Sequence, residues 1–274
     1  MSLFSELSQL MIEYRFRPEQ GFSQNFIIDE VILQKMVDTA ELEENDIVLE
    51  IGCGTGFLTK QLLEKCKVVG FEKDPKMVQI LKGKFSENKN FKLIEKDFLQ
   101  TEIPKFTKVV SLPPYNISTE IVLRLLLSSP KKIVLIFQRE FSEKIIAEPG
   151  FWDYSYISAL CRVKFEPQVI VQNISPMAFY PKPQAYSTLL VLNPREQEVK
   201  IKDFSAFALF VKNLFRYKNK NLANALLLCE KQLSGKIKFS KKGVKEVLED
   251  EISKEKVNLI WPDELAQIFR KLSQ

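Results

Sequence analysis

Val48-Leu49-Glu50-Ile51-Gly52-Cys53-Gly54-Thr55-Gly56 is an apolar run that breaks into a G-x-G-x-G turn, after which Phe57 opens an amphipathic stretch. A buried strand that feeds a glycine turn and then a helix is the first βα unit of a ligand-binding sheet. The glycines supply the backbone conformations of the turn and let a ligand approach the chain closely. Such a loop alone is a weak signal, because tight strand-to-helix turns also use glycine for steric reasons. Its weight comes from two acids further on. Glu72, twenty residues after Gly52, ends the next apolar run, where a carboxylate can hold ribose hydroxyls. Asp97 ends the third run in the same way and can accept from an exocyclic amine.

Working outward, short β-branched runs alternate with helical patterns over the first half of the chain. The runs 47–50, 68–72, 91–95, 108–112 and 133–137 predict five strands, and 57–65, 75–85 and 119–127 predict the crossover helices. Pro75 suits a first helical turn. Five such strands make an open, doubly wound parallel sheet. Two further strand-like runs, 168–174 and 188–192, flank a Pro-rich stretch and predict an antiparallel pair closing one edge. After Asn193 and Pro194 the period becomes helical, through Phe204, Phe207, Ala208, Val211, Leu214 and Phe215 and then Leu222, Ala225, Leu226 and Cys229. A last helix is expected from Pro262 to Lys271. The fold class is therefore α/β, a Rossmann-like sheet over residues 1–197 followed by a small all-helical domain over 198–274.

The glycine turn also discriminates between ligands. A nicotinamide dinucleotide site expects G-x-G-x-x-G, with the helix start facing a pyrophosphate. This loop is one residue shorter and runs into Phe57, which suits an adenosyl group without phosphates. S-adenosylmethionine (SAM) is the cofactor this pattern favours, with Gly52, Gly54, Gly56, Glu72 and Asp97 as its binding residues.

Composition removes whole classes of chemistry. The 274 residues include no histidine, which excludes Ser-His-Asp and Cys-His nucleophiles, histidine zinc sites and imidazole acid–base catalysis. Cys53, Cys66, Cys161 and Cys229 are scattered and form no C-x-x-C pair, so neither a metal site nor a disulfide framework is expected. Glu6, Glu13 and Glu19 spoil a signal peptide, and no apolar run reaches the roughly 20 residues of a membrane span. A cytoplasmic protein is expected.

The net charge of +5 is unevenly spread: residues 1–199 carry −2 and residues 200–274 carry +7. Between Lys212 and Lys245, ten basic residues meet only Glu230. Such a run is either a solvated lysine-rich face or a surface for a polyanion.

The fourth strand leaves the sheet through Ser111-Leu112-Pro113-Pro114-Tyr115-Asn116-Ile117-Ser118. Two prolines stiffen this turn, and Tyr115 offers a flat face suited to a base lifted from its stack. Here the chain resembles the small-subunit ribosomal RNA adenine N6,N6-dimethyltransferases over nearly its whole length. Gly21-Phe22-Ser23-Gln24-Asn25-Phe26-Ile27-Ile28-Asp29 is similar to that family's G-Q-N-F-L-x-D segment, with Ser23 where the family has glycine. The resemblance implies that Asn25 and Ile27 touch SAM. Ala178-Phe179-Tyr180-Pro181-Lys182-Pro183 resembles its F-x-P-x-P-K segment and implies that Phe179 stacks on the target adenine with Tyr115. Residues 214–226 resemble the L-F-x-x-R-R-K-x-L-x-N-A-L pattern of its helical domain, which implies RNA contact through Lys212, Arg216, Lys218 and Lys220.

One departure bears on activity. The family motif is N-L-P-Y-N-I-S, and the match places Leu112 at its Asn and Pro113 at its Leu, next to Pro114 and Tyr115; the resemblance implies that these four, with Phe179, are the catalytic residues and that Leu112 also touches SAM. The family's Asn side chain accepts from the adenine amine, and loss of such a bond costs on the order of 10²-fold in rate. A one-residue shift of the turn would offer the Ser111 hydroxyl instead. The resemblance implies a monomeric enzyme that uses SAM to dimethylate adenosines near the 3′ end of small-subunit ribosomal RNA in the assembling subunit, without a metal or a membrane. Two alternatives remain: a ribosome assembly factor that keeps the fold with little catalysis, and a small-molecule methyltransferase, which the basic tail disfavours.

Overall fold

The computed structural model describes residues 1–19, 24–196, 199–233, 235–237 and 239–273. Gly21 to Ser23 of the N-terminal motif, and the expected domain boundary at 197/198, lie outside these residues.

The chain folds in the order α1 (Leu3–Glu13), β1 (Phe26–Ile27), α2 (Glu30–Thr39), β2 (Ile47–Ile51), α3 (Phe57–Leu63), β3 (Lys67–Phe71), α4 (Pro75–Phe85), β4 (Phe91–Ile94), β5 (Lys108–Ser111), α5 (Ser118–Leu126) and β6 (Lys132–Gln138). It continues through α6 (Arg139–Ile146), α7 (Tyr156–Lys164), β7 (Phe165–Ile174), β8 (Phe179–Tyr180) and β9 (Ser187–Pro194). The last helices are α8 (Phe204–Leu214), α9 (Leu222–Leu233), α10 (Lys241–Glu249) and α11 (Pro262–Leu272).

Among the described residues, seven strands form one sheet in the order β4-β3-β2-β5-β6-β9-β7. The first five pair in parallel, and β9 runs antiparallel to β6 with Leu135 opposite Leu190. Strand order reverses between β2 and β5, which opens a crevice beyond their carboxyl ends. Both faces of β2 are covered, so Val48, Leu49, Glu50 and Ile51 are all buried, which explains why the strand reads as a continuous apolar run. Helix α4 starts where its sequence dictates: Asp74 caps it by accepting from the Lys76 amide at 2.7 Å, and Pro75 follows. The expected edge pair is present as neighbouring β7 and β9. The two-residue strands β1 and β8, which carry no periodic signal, pair with each other, Phe26 opposite Tyr180 and Ile27 opposite Phe179.

The chain divides into two compact units, residues 1–142 with 168–193, and residues 143–167 with 194–274. The division near 193/194 lies close to the expected boundary, but residues 143–167, expected in the first domain, pack with the C-terminal helices. Their chemistry explains the grouping. Tyr154 is fully buried, donates to the Ile260 carbonyl at 3.0 Å and sets its ring edge-on to Phe215, while α7 packs against α8 and α11. Phe207, Phe210 and Phe269 form the aromatic centre of this unit. Phe210 was not singled out by the helical period, whereas Phe204 and Ala208 are only half-buried.

Candidate functional site

The glycine turn lies at the carboxyl end of β2 and is held by the Gly52 amide, which donates to the Phe71 carbonyl at 2.8 Å. Gly52, Gly54 and Gly56 all have positive φ (76°, 55° and 80°), a region that penalises any side chain with a Cβ. A Cβ on Gly52 would stand 3.3 Å from Pro114 Cδ, and one on Gly54 would stand 3.2 Å from the Phe26 ring. These two glycines therefore let the Pro-Pro-Tyr turn and the N-terminal strand β1 close on the loop. Gly56 caps α3 instead and faces Phe85, 2.7 Å from a Cβ placed there.

A cleft of about 110 Å³, open to solvent, lies above this edge. Of the residues predicted from sequence, Asn25, Ile27, Gly52, Gly54, Glu72, Asp97, Leu112, Pro113, Pro114 and Tyr115 all line it. Two do not share it in that way. Gly56 is turned toward α4, and the Phe179 ring is 1% exposed in the core with Leu189 and Val191.

Glu72 is nearly buried and is oriented by three backbone donors: Gly54 at 2.8 Å, Lys73 at 2.8 Å and Asp74 at 2.9 Å. Burial raises its pKa, and the three amides offset only part of that rise. A carboxylate has about four acceptor positions, so this one keeps capacity for a hydroxyl donor. Asp97 accepts from the Leu99 amide at 2.9 Å and pairs with Lys73 at 3.1 Å. Burial alone would push its pKa up. The Leu99 amide, the bond and charge of Lys73 and the charge of Arg124 together outweigh burial and hold it below the usual carboxylate value. Asp97 is thus ionised at the mouth of the cleft.

On the opposite wall, the Tyr115 hydroxyl shares a hydrogen bond with Ser187 Oγ at 3.0 Å, and burial pushes its pKa up to about 12, so it stays a neutral phenol. Leu112 is partly exposed in the cleft. Ser111 does not face it. The Ser111 hydroxyl is fully buried, donates to the Ile51 carbonyl at 2.7 Å and accepts from the Ile51 amide at 3.1 Å, so it is part of the β2–β5 seam. The compensation by Ser111 considered from sequence is therefore blocked by two hydrogen bonds.

Sequence reasoning missed three residues of this site. Gln24 donates to Asp74 at 2.5 Å and accepts from the Glu19 amide at 3.0 Å, tying the N-terminal segment to the end of β3. Glu50 lies on the cleft floor, 2% exposed, and accepts from Thr59 Oγ1 at 2.7 Å. Its signal was an acid inside an otherwise apolar strand. Lys84 bridges Glu6 of α1 at 2.8 Å and the Thr55 carbonyl at 3.1 Å, which links α1 to the glycine turn. Among the described residues no cluster of acids and cysteines could hold a metal ion, and no helix is long and apolar enough to cross a membrane.

The predicted basic residues lie on the helical unit. Arg216 and Lys220 are exposed, Lys218 is half-buried, and exposed Lys212 stands over the Tyr156 ring at 5.8 Å. Further along, Lys242 and Lys245 pair with Glu246 and Glu249 within α10, so that part of the run is a charge-balanced face.

A sheet of this order, with a glycine turn and two strand-end carboxylates on one cleft, defines a Rossmann-like SAM-dependent methyltransferase fold. The solved structures agree. A dimethyladenosine transferase from Plasmodium falciparum superimposes with a TM-score of 0.78 at 26% identity, over 90% of this chain and 96% of that one. The 23S rRNA methyltransferase ErmE gives 0.66 at 25% identity, over 91% and 100%. The chain belongs to the ribosomal RNA adenine dimethylase family, whose model matches residues 15–261. Relatives described as probable ribosomal RNA small subunit methyltransferase A are 34% identical in Methanopyrus kandleri, covering 96% of this chain and 95% of the relative, and 38% identical in Methanococcoides burtonii, covering 89% and 90%.

Proposed function

We propose that this protein is a cytoplasmic, monomeric enzyme that transfers methyl groups from SAM to the N6 amines of adenosines near the 3′ end of small-subunit ribosomal RNA, during assembly of that subunit. The observation that supports it is the convergence of the glycine turn, Glu72, Asp97 and the Leu112–Tyr115 turn on one cleft. The donor set suits an adenosyl ligand: a buried carboxylate held open for a hydroxyl, an ionised carboxylate for an amine, and a loop whose glycines keep the backbone bare. When bound, SAM supplies a methyl group on a sulfonium centre, from which a neutral thioether departs.

The chain's own contribution is positioning. Asn25, Ile27, Gly52 and Gly54 form one wall, Glu72 orients the ribose, and Asp97 receives the adenine amine of the cofactor. Tyr115 presents its ring to the target base, and aromatic faces also stabilise passing positive charge. Phe179 is proposed as the second platform, from the β8 position that pairs with Ile27, where its ring is 1% exposed. An alkylated amine is acidic enough to lose its proton to water or a backbone carbonyl, so the absence of histidine is no obstacle. Lys212, Arg216, Lys218 and Lys220 would neutralise RNA phosphates.

A second reading, an assembly factor with little catalysis, is favoured by one observation: Leu112 offers no side-chain acceptor and Ser111 is committed to β2. One experiment separates the two. The protein, radiolabelled SAM and unmethylated assembling small subunits are incubated together, and the RNA is digested to nucleosides. Labelled N6,N6-dimethyladenosine supports the enzyme. Binding to the subunit without label, under conditions where a relative carrying the family Asn works, supports the assembly factor.

A further inference from the structure

The helical unit exposes large aromatic side chains where the expected function makes no use of them. Phe151 is 63% and Trp152 81% exposed, and Leu259 beside them is 44% exposed. The loop that carries them is tightly held. The Phe151 amide donates to Glu148 at 3.2 Å, the Tyr154 amide to Phe151 at 3.1 Å, and the Gly150 amide to Asn258 at 2.8 Å. Below the loop, the buried Tyr154 anchors it through Ile260. Two solvent-facing rings on a rigid base lower solubility and add nothing to the core, which marks the patch as an interaction surface.

The surroundings identify the partner's chemistry. Lys218 Nζ donates to the Trp152 carbonyl at 3.2 Å and to the Tyr154 carbonyl at 3.4 Å. The same backbone strip continues through Asn258 N to Lys218 O at 3.0 Å and Val257 N to Lys220 O at 3.1 Å. The aromatic pair and the Arg216–Lys220 run thus share one surface. The segments joined by these bonds carry Arg216, Lys218, Lys220 and Lys256 against Asp153 and Glu255, four cations to two acids, so the chain beside the exposed rings is net positive. A partner that offers both flat faces and negative charge is an unpaired stretch of RNA, whose bases stack on aromatic rings while its phosphates meet cations.

We propose that Trp152, supported by Phe151, is a stacking platform for an unpaired RNA base, and that Arg216, Lys218 and Lys220 hold the flanking phosphates. The inference rests on the ribosomal RNA reading above and assigns a contact to a loop that neither the basic run nor the cofactor cleft contains.

The chain has two tryptophans, so a Trp261→Phe variant makes Trp152 the sole indole reporter. An unstructured 12-nucleotide RNA should quench its fluorescence. In a filter-binding assay, Trp152→Ala should weaken binding of that RNA and of assembling small subunits by roughly 5- to 150-fold. Trp152→Tyr should recover most of the loss, and neither variant should change the salt dependence. Lys220→Ala should instead lower the slope of log affinity against log salt by about one and leave the quenching at saturation intact. Absence of quenching, or equal behaviour of the Ala and Tyr variants, would overturn the proposal. So would a loss confined to whole subunits, which would assign the patch to a ribosomal protein. Failure of the wild-type protein to transfer methyl groups would sink the enzymatic reading and leave the fluorescence and salt measurements interpretable.

Discussion

Glu50 should make the stability of this protein fall as pH rises through neutrality, the reverse of what a surface ion-paired carboxylate does. Its carboxyl sits 2% exposed on the cleft floor, with Thr59 as hydroxyl donor at 2.7 Å. Burial raises its pKa from 4.5 to about 8, against the opposing hydrogen bonds from Thr59 and Cys53 and with help from the charge of Glu72. The folded chain therefore keeps a proton that the unfolded chain releases above pH 4.5. Stability due to this group is fully present below about 4.5 and is lost as pH rises to about 8, with a limiting slope of about 1.4 kcal/mol per pH unit. Over the whole interval the loss is on the order of 5 kcal/mol. Glu50→Gln keeps the shape and an acceptor for Thr59 while removing the titration. Urea unfolding of both proteins at constant ionic strength, from pH 5 to 9, should give similar stabilities at pH 5 and a growing advantage for the variant up to pH 8, then a plateau. Using the difference between the two curves cancels the surface pairs and leaves Glu50 together with its repulsion by Glu72. A difference that stays flat with pH would refute the assignment of a buried, protonated Glu50.

Other perturbations separate the parts of the site. Leu112→Asn restores a side-chain acceptor at the cleft, and should raise the methyl-transfer rate on the order of 10²-fold at saturating RNA, measured by single-turnover label incorporation. Asp97→Asn removes the charge at the mouth of the cleft, and should weaken SAM binding roughly 10-fold by calorimetry with little effect on unfolding. Gly56→Ala forces a Cβ into positive φ at 2.7 Å from Phe85, and should cost roughly 2–4 kcal/mol of stability in a denaturant titration. Asp46→Asn removes the counter-charge of the buried Lys108 ammonium, now paired at 2.8 Å, leaves it the Glu41 carbonyl, and should cost about 3 kcal/mol by the same method. Because hydrogen bonds and the Lys108 charge outweigh burial and lower the Asp46 pKa, the contribution of that pair in the wild type is present above the unfolded pKa and fades on acidification.

The elements legible in the sequence are those with a repeating physical cause. Strands β2, β3, β5 and β6 are covered on both faces and therefore spell continuous apolar runs, and Pro75 behind Asp74 announces α4 directly. Glu72 and Asp97 were legible because strand ends are where chain direction alone brings side chains to one edge. What was illegible depends on contacts distant in sequence. Strand β1 is two residues long and exists because β8 pairs with it and because Gly54 leaves room for Phe26. Residues 156–164 have the same helical character as the crossovers, and only contacts distant in sequence, such as the bond from Tyr154 to Ile260 and the packing of α7 on α8 and α11, assign this stretch to the C-terminal helices. Ser111 looked like an available hydroxyl because no local pattern shows that its partners are both on Ile51.

The departure at Leu112 is best judged together with the one at Pro113. The family's Asn is a donor as well as an acceptor, and the residue after it normally carries a backbone N–H. Here Pro113 and Pro114 have none, so two adjacent positions of the turn present carbonyls without competing donors. The Pro114 carbonyl is engaged by the Ile117 amide, only weakly at 3.4 Å, while Leu112 keeps its carbonyl at a cleft-lining position. In the proposed reaction, the acceptors this turn can offer an entering amine are backbone carbonyls on stiffened chain, in place of the side-chain amide. Removing one acceptor costs about the energy of one positioned hydrogen bond, whereas fixing the remaining carbonyls lowers the entropy of bringing the amine into line. On the proposed reaction the two substitutions are expected to act in opposite directions on the same step. Leu112→Asn tests the first, and Pro113→Leu, which frees the turn and returns an N–H, tests the second: if the prolines only stiffen a loop, its rate will match the wild type, and if they preorganise the acceptors, it will fall while SAM affinity holds.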